Sequence, residues 1–371
     1  MCKWREITLV DYIKTNDESI SHTYPYKRIL YLDTGSITSG RIQKLQEMDL
    51  SNAPSRAKRL VCENDIIYSA VRPNQRHFGF IKNPQSNLVV STGFIVISCV
   101  SSQLFPKYLY YYLTSDRSIE YLHSIAEGST SAYPSLKPTD IESLKMNLPP
   151  LEEQRAIADV LSALDDKIDL LHRQNQTLEA LAQTLFRQWF IEEADDDWEE
   201  VELGELINIT SGKGLKRKEY SELGKYPVLG ANGEIERTNL FNWNEDLIFT
   251  GRVGSLGKVF ISNGKVWLSD NTLVIRPLQK YCFYIIYFFL KTIGLQRLDV
   301  GSTQPLIRQS DIIKLICKLP PIKIMHMFAK QTETVFARIL HNTAEIKTIE
   351  EIRDTLLPKL MSGEMRVKEK E

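Results

Sequence analysis

A chain of 371 residues, 43% of them hydrophobic, exceeds one ordinary domain and carries enough apolar side chains for two or three cores. Its longest apolar run, at 281–290, is about half the roughly 20 residues that span a bilayer, so it reads as a buried helix, and no membrane partner is expected. The formal net charge of -1 seems to exclude a nucleic-acid binder, but it conceals a segregation: 17 basic against 14 acidic residues at 1–150, 4 against 14 at 151–200, and 16 against 11 at 201–321.

Two mildly basic blocks thus flank an acidic one, and neither is basic enough for phosphate attraction alone to give tight binding. The five cysteines, Cys2, Cys62, Cys99, Cys282 and Cys317, are scattered without Cys-x-x-Cys pairs or histidines at zinc spacing. They read as reduced thiols. With no secretory leader read at the start of the sequence, a cytoplasmic location is expected.

In chain order, the first block opens on WREITLVDYI at 4–13. ENDIIYSAVR at 63–72 follows, an acidic turn running into a short apolar stretch that predicts a buried strand entering a basic loop. Next come an aromatic segment, LFPKYLYYYL at 104–113, a Gly-Ser-Thr at 128–130, Asp140-Ile141 and Leu148-Pro149-Pro150. A second block repeats all six in the same order: WEEVELGELI at 198–207, NEDLIFTGR at 244–252, YCFYIIYFFL at 281–290, Gly-Ser-Thr at 301–303, Asp311-Ile312 and Leu319-Pro320-Pro321. Short apolar strands resemble one another in any mixed protein, but six ordered matches point to a duplicated unit. The offset falls from 194 residues at Trp4 and Trp198 to 171 at the prolines, so the first block holds extra loop sequence.

After each Leu-Pro-Pro lies a long stretch without Gly or Pro, at 151 to about 190 and at 322 to about 357, and both predict helices. Glu152 and Glu153 suit the positive N-terminal end of the first. Ile157, Leu161, Leu164, Ile168, Leu171, Asn175, Leu178, Ala182, Leu185 and Trp189 follow alternating steps of 4 and 3, the signature of a coiled-coil seam. The offset of 171 places the second seam at Phe328, Thr332, Val335, Ile339, Asn342, Ile346, Ile349, Arg353, Leu356 and Leu360. A parallel pairing in matched register leaves Asn175 and Asn342 without amide partners. An antiparallel one joins Asn175 with Asn342, Trp189 with Phe328, Ile157 with Leu360 and Ile168 with Ile349. Leu164 then faces Arg353, whose stem is expected on the seam and whose head is expected in water. Such a coiled coil, about 58 Å long at about 1.5 Å per residue, suits a spacer between two globular blocks. The same seam suits oligomerisation equally well, and the duplication favours the intramolecular pair.

No catalytic motif is recognisable. In 251–259, GRVGSLGKV, the glycine spacing is wrong for a phosphate loop and Val259 replaces the Ser/Thr that would bind magnesium, so a structural turn is expected. The Pro-Pro pairs follow leucine and start helices, unlike the Asn/Asp-Pro-Pro-aromatic tetrapeptide of an amino-methyltransferase. The Glu345–Lys347 pair sits on the coiled coil, so no nuclease carboxylate cluster is identifiable, and the six histidines lack metal spacing.

The segment LPPLEEQRAIADVLSALDDKIDLLHRQNQTLEALAQTLFRQWF at 148–190 resembles the central conserved region of type I restriction-modification specificity subunits. TLLPKLMSGEMRV at 355–367 resembles the end of their second conserved region, and GRVGSLGKVF at 251–260 a strand-loop-strand of their recognition domains. YLDTGSIT from Tyr31 and YSAVRPNQRHFG from Tyr68 extend the resemblance over essentially the whole chain. The departure is PPIKIMHMFA at 320–329, which lacks the Glu-Glu-Gln of the first helix.

The resemblance implies an α/β (α+β) fold with two tandem pseudo-symmetric target-recognition domains, at 1–150 and 198–321. A long antiparallel two-helix coiled coil, at 151–197 and 322–371 with its tail, separates them. It implies a non-catalytic subunit that reads a bipartite gapped site in double-stranded DNA and recruits two modification subunits. Those partners supply S-adenosylmethionine and methylate an adenine in each half-site. Restriction subunits, which use ATP and Mg, join some such complexes. No cofactor or metal is expected in this chain.

Direct readout needs Arg for guanine and Asn or Gln for adenine, with Lys, Ser and Thr on phosphates. Arg72, Asn74, Gln75, Arg76 and His77 form a dense cluster of this type after a predicted strand, which a solvated turn would also explain. Arg252 and Lys258 are taken as the second-half counterparts, and the Gly-Ser-Thr loops add Ser129, Thr130, Ser131, Tyr133, Thr303, Gln304 and Arg308. Further candidates are Arg41, Lys58, Lys213, Lys216, Arg217 and Asn232. Two other readings stand beside this one. A free-standing two-headed DNA regulator would bind tightly alone, and a methylase-nuclease fusion would transfer methyl groups unaided.

Overall fold

The computed structural model describes residues 4–128, 135–254, 256–299 and 305–367. They fall into two units: unit 1 comprises residues up to Asp169 together with those from Ile346 onward, and unit 2 is Leu170–Glu345. In unit 1, chain order gives β1 (Arg5–Thr8), β2 (Ile13–Thr15), β3 (Arg28–Leu32), β4 (Ile37–Thr38), β5 (Arg41–Ile42), β6 (Gln46–Asp49), β7 (Ala57–Leu60) and β8 (Ile66–Ser69). They are followed by β9 (Phe78–Phe80), β10 (Leu88–Ser91), β11 (Phe94–Cys99), α1 (Pro106–Thr114), α2 (Asp116–Glu127), α3 (Pro138–Glu142), β12 (Lys145–Leu148) and the start of α4 (Leu151–Arg187). Unit 2 holds β13 (Glu199–Glu202), β14 (Ile207–Ser211), β15 (Tyr226–Gly230), β16 (Gly233–Thr238), β17 (Trp243–Asn244), β18 (Leu247–Gly251), β19 (Val259–Ser262) and β20 (Lys265–Leu268). It continues with β21 (Thr272–Pro277), α5 (Phe283–Ile293), α6 (Gln309–Ile313), β22 (Ile316–Leu319) and most of α7 (Ile322–Ser362).

The duplication read from six sequence matches is a duplication of topology. One four-stranded sheet has the order β2-β11-β8-β9 in unit 1 and β14-β21-β18-β19 in unit 2. The other has the order β6-β3-β10-β7 and β16-β15-β20-β17, with the two middle strands parallel in both. A two-stranded ribbon closes each unit, β1 with β12 and β13 with β22. The predicted strands are β8 and β18, central in their sheets, and all their residues are buried. A continuous apolar run suits a strand covered on both faces. Asp65, just before β8, anchors the turn by accepting from the Cys62 N–H at 2.7 Å and the Ser98 hydroxyl at 2.6 Å.

The aromatic segments are α1 and α5. Pro106 starts α1, and Gly294, at φ 69°, ends α5. Tyr108, Leu109 and Leu113 bury completely in unit 1, as do Phe288 and Leu290 in unit 2. Each such burial stabilises by about 1.5–3 kcal/mol. The apolar run is thus a core helix, and no helix among the described residues is long and apolar enough to cross a membrane.

Every predicted seam residue of α4 and α7 is buried or half-buried. A second stripe, one residue beyond alternate seam positions, is also covered: Ala158 and Asp165 in unit 1, Glu179 and Phe186 in unit 2. Each helix therefore buries a face about three residues wide in seven, since within each unit it meets both its partner helix and that unit's own core. The pairing is antiparallel within each unit. In unit 2, Asn342 Nδ2 donates to Asn175 Oδ1 at 2.8 Å, and the Trp189 and Phe328 rings lie 6.1 Å apart. In unit 1, Ile157 and Leu360 share one core.

The expectation for Arg353 is corrected. Its guanidinium binds Asp165 at 3.0 Å and Asp354 at 2.9 Å, because Asp165, next to the seam, offers a half-buried carboxylate where water was expected. The helix ends differ slightly too. α4 continues as a π-helical turn, Gln188–Glu192, and α7 passes through Pro358 to Ser362. Leu360 is buried in the unit 1 core, and that packing offsets the hydrogen bond lost at the proline.

Candidate nucleic-acid interface

In unit 1 the segment between β8 and β9 is pinned by several backbone hydrogen bonds. Ser69 N–H donates to the His77 carbonyl at 2.8 Å, and Ser69 Oγ donates to the Val71 carbonyl at 2.9 Å. Pro73 opens a single 3-10 turn, Pro73–Gln75, which leaves Arg72, Asn74, Gln75 and Arg76 exposed. His77 is half-buried, with Nδ1 2.6 Å from the Ile37 carbonyl, so it ties this loop to the β4–β5 hairpin. Ser39 and Gly40 at the hairpin tip donate their N–H groups to the Arg76 and Phe78 carbonyls. The structure thus brings Arg41, on β5, close to the 72–77 loop in the fold.

The side chains then diverge. Arg76 pairs with Asp116, the first residue of α2, at 2.7 Å, and Arg41 pairs with Glu350 of α7 at 3.2 Å. Arg76 also lines a cleft of about 950 Å³ with Tyr111, Asp165 and Arg353. Burial raises the Tyr68 phenol pKa above its ordinary value, and the Arg76 guanidinium partly offsets that. Lys58 is exposed on β7, at an edge of the other sheet.

In unit 2 the corresponding place is built around Arg252. Its Nη1 donates to Ser211 Oγ at 3.2 Å, and Gln309 Nε2 donates to the same oxygen at 3.1 Å. Arg252 Nε is buried without a partner among the described residues. Lys213, two residues past Ser211, is exposed, and its carbonyl accepts from the Trp267 indole at 2.8 Å. Arg308 is exposed at the N-cap of α6, where its N–H donates to Asp311 at 3.1 Å. Lys258, Lys216, Arg217 and Asn232 are exposed, Lys216 and Arg217 at a short 3-10 turn and Asn232 at the β15–β16 hairpin. Ser129, Thr130, Ser131, Tyr133, Thr303 and Gln304 lie outside the described residues.

One correspondence needs correction. The Leu136 N–H bonds the Ala70 carbonyl just as the Ile307 N–H bonds the Arg252 carbonyl, and Val71 bridges Ser135 as Val253 bridges Leu306. Arg252 therefore stands where unit 1 has Ala70, and Arg72 corresponds to Gly254. On the far side Phe78 pairs with Tyr68 as Val259 pairs with Thr250, so His77 corresponds to Lys258 and Arg76 to Gly257. Arg252 thus lies two residues short of the place Arg72 takes in unit 1, and the two loops then differ in length by one residue.

Sequence reasoning also passed over Asp116, Ser211 and Gln309, the immediate partners of the candidate arginines. Ser211 and Gln309 are 98 residues apart, and no local pattern marks such a contact. Between β18 and β19, Gly254 stands at φ 79° and Gly257 at φ 94°, and Ser255 lies outside the described residues. Among the described residues no group of three or more His, Cys, Asp or Glu side chains could hold a metal ion.

A family model, "Type I restriction modification DNA specificity domain", matches residues 10–180 and 195–355. The HindI specificity subunit of Haemophilus influenzae is 26% identical to this chain, with 98% of this chain and all of that one covered. The MjaIX specificity subunit of Methanocaldococcus jannaschii is also 26% identical, over 89% of this chain and 88% of that one. Among solved structures, the type I restriction-modification system S subunit from M. genitalium superposes with a TM-score of 0.58 at 19% identity, covering 96% of each chain. This last likeness concerns the fold alone.

Proposed function

We propose, for a chain that belongs to the type I restriction-modification DNA specificity family, that each unit reads one half of a bipartite, gapped site in double-stranded DNA. The observation that carries this reading is the repetition. Two units of identical sheet order each place basic side chains at the same topological position, Arg72 and Arg76 after β8 and Arg252 and Lys258 after β18. A specificity subunit recognises and does not catalyse. On this reading two modification subunits are recruited, bring S-adenosylmethionine and methylate an adenine in each half-site. Restriction subunits using ATP and Mg join where they exist, and the complex works in the cytoplasm.

The mild basicity of both blocks supports dependence on such partners, since few phosphate contacts give weak, salt-sensitive binding. The decisive experiment is to map methylated adenines in DNA from cells carrying this subunit with its modification partners. One gapped motif is expected. Replacing residues 1–150 by the equivalent block of another family member should change one half of that motif. An ungapped motif, or changes in both halves, would overturn the proposal.

A further inference from the structure

Six non-glycine residues among those described have positive φ: Asn16, Ser39, Asn64, Arg72, Arg76 and Asn83. Asparagine tolerates this left-handed region, and Ser39 with Gly40 forms the two-residue β4–β5 hairpin, a turn that demands it. Arg72 and Arg76 have neither excuse. Arg72, at φ 48° and ψ 68°, also precedes Pro73, a position that favours extended backbone. At the corresponding points unit 2 has Gly254 and Gly257, both at positive φ, where glycine carries no steric penalty. The same two left-handed positions are therefore filled by glycines in one unit and by strained arginines in the other.

A fold that needed only the bend would be better served by glycine. We infer that Arg72 and Arg76 are the specificity-determining side chains of unit 1, held in left-handed backbone that sets the direction in which they leave the loop, so that their guanidinium forks can meet base edges. This rests on the proposal that unit 1 reads a half-site. Strain kept at a residue is a mark of function when its surroundings over-determine the conformation, and here they do. The Arg72 carbonyl accepts from Gln75, the Arg76 N–H donates to Pro73, and the Arg76 carbonyl accepts from Ser39 and Phe78. Direction matters more for a base than for a phosphate, because a bidentate guanidinium must meet two acceptors in one plane. Arg72 has no side-chain bond among the described residues and is exposed, so its five donors are open to a ligand. Arg76 is steadied by Asp116 at 2.7 Å, which leaves its remaining donors available.

The test uses Arg72→Gly, Arg76→Gly and Arg72→Lys in the full chain, assembled with its modification subunits, reading both the methylated motif and the thermal midpoint. Each glycine variant should melt at the same temperature or a few degrees higher, since strain is relieved. Each should lose about tenfold or more of its base preference in the unit 1 half-site while the other half stays intact. Arg72→Lys keeps the charge and should lose the same preference, because an ammonium cannot form the fork. Glycine variants that keep the unit 1 half-site would overturn the inference, as would a fall in melting temperature accompanying the loss, which marks a structural role. A wild-type motif without two halves would instead overturn the functional proposal on which the inference rests.

Discussion

Corresponding positions of the two units solve the same packing problem with opposite chemistry. Where α1 of unit 1 meets the helices, the Tyr111 hydroxyl donates to Asp165 of α4 at 2.7 Å, and Asp165 pairs with Arg353 of α7. In unit 2 the equivalents are Phe288, Phe336 and Ala182, and the junction is a cluster of rings. Phe288 lies 6.1 Å from Phe336 and 6.3 Å from Phe328, and Phe328 lies 5.0 Å from Phe190. Beside it Glu179 accepts from the Tyr287 hydroxyl at 2.8 Å and from Lys291 at 2.7 Å. Duplication preserved the backbone arrangement while the side chains diverged, which shows that the docking geometry specifies shape and leaves the bonding chemistry free. A half-buried ion pair and a hydrophobic cluster of similar volume are close in net stability, so such drift is tolerated.

The largest effect is expected on the aromatic side. Phe328 is fully buried, and Phe328→Ala should cost about 3–5 kcal/mol, localised by hydrogen exchange to the amides of unit 2. In unit 1, Asp165→Ala leaves the Tyr111 hydroxyl without its acceptor and Arg353 with Asp354 as its remaining carboxylate. A loss of about 2 kcal/mol in urea unfolding is expected, discounted because both charged groups are partly exposed. The sharper test installs the other solution: Tyr111→Phe, Asp165→Phe and Arg353→Ala together should recover most of that loss. If the triple variant is less stable than Asp165→Ala, the two junctions are not equivalent.

Smaller effects follow within unit 2. Asn342 is fully buried and its Oδ1 lacks a partner among the described residues, so the amide pair is only half satisfied. Asn175→Leu alone should cost about 1–2 kcal/mol, whereas leucine at both positions should be neutral or stabilising. A double-mutant cycle without coupling would reject the contact. Burial raises the Glu179 pKa, but Lys291 and Tyr287 more than offset it and leave the group below its ordinary value. A lowered folded pKa means that the stabilisation is present above the unfolded value, about 4.3, and is lost as pH falls through the folded one. Glu179→Gln should therefore flatten the acid limb of unit 2 unfolding by under about 1 kcal/mol, an effect read by titrating stability from pH 6 to pH 3.

The duplication, the buried strands β8 and β18, the two long helices and their antiparallel register were legible in the sequence. Each rests on a local period or an ordered repeat, and the register follows from the cost of separating two amides. Tertiary structure alone decided which residue answers which across the duplicated loops. A loop of different length hides correspondence until backbone bonds such as Leu136 to Ala70 and Ile307 to Arg252 fix it. The same is true of Asp165 beneath Arg353, of Ser211 between Arg252 and Gln309, and of the left-handed backbone at Arg72 and Arg76. These depend on contacts between distant segments and on dihedral angles, which neither hydrophobic periodicity nor residue type encodes.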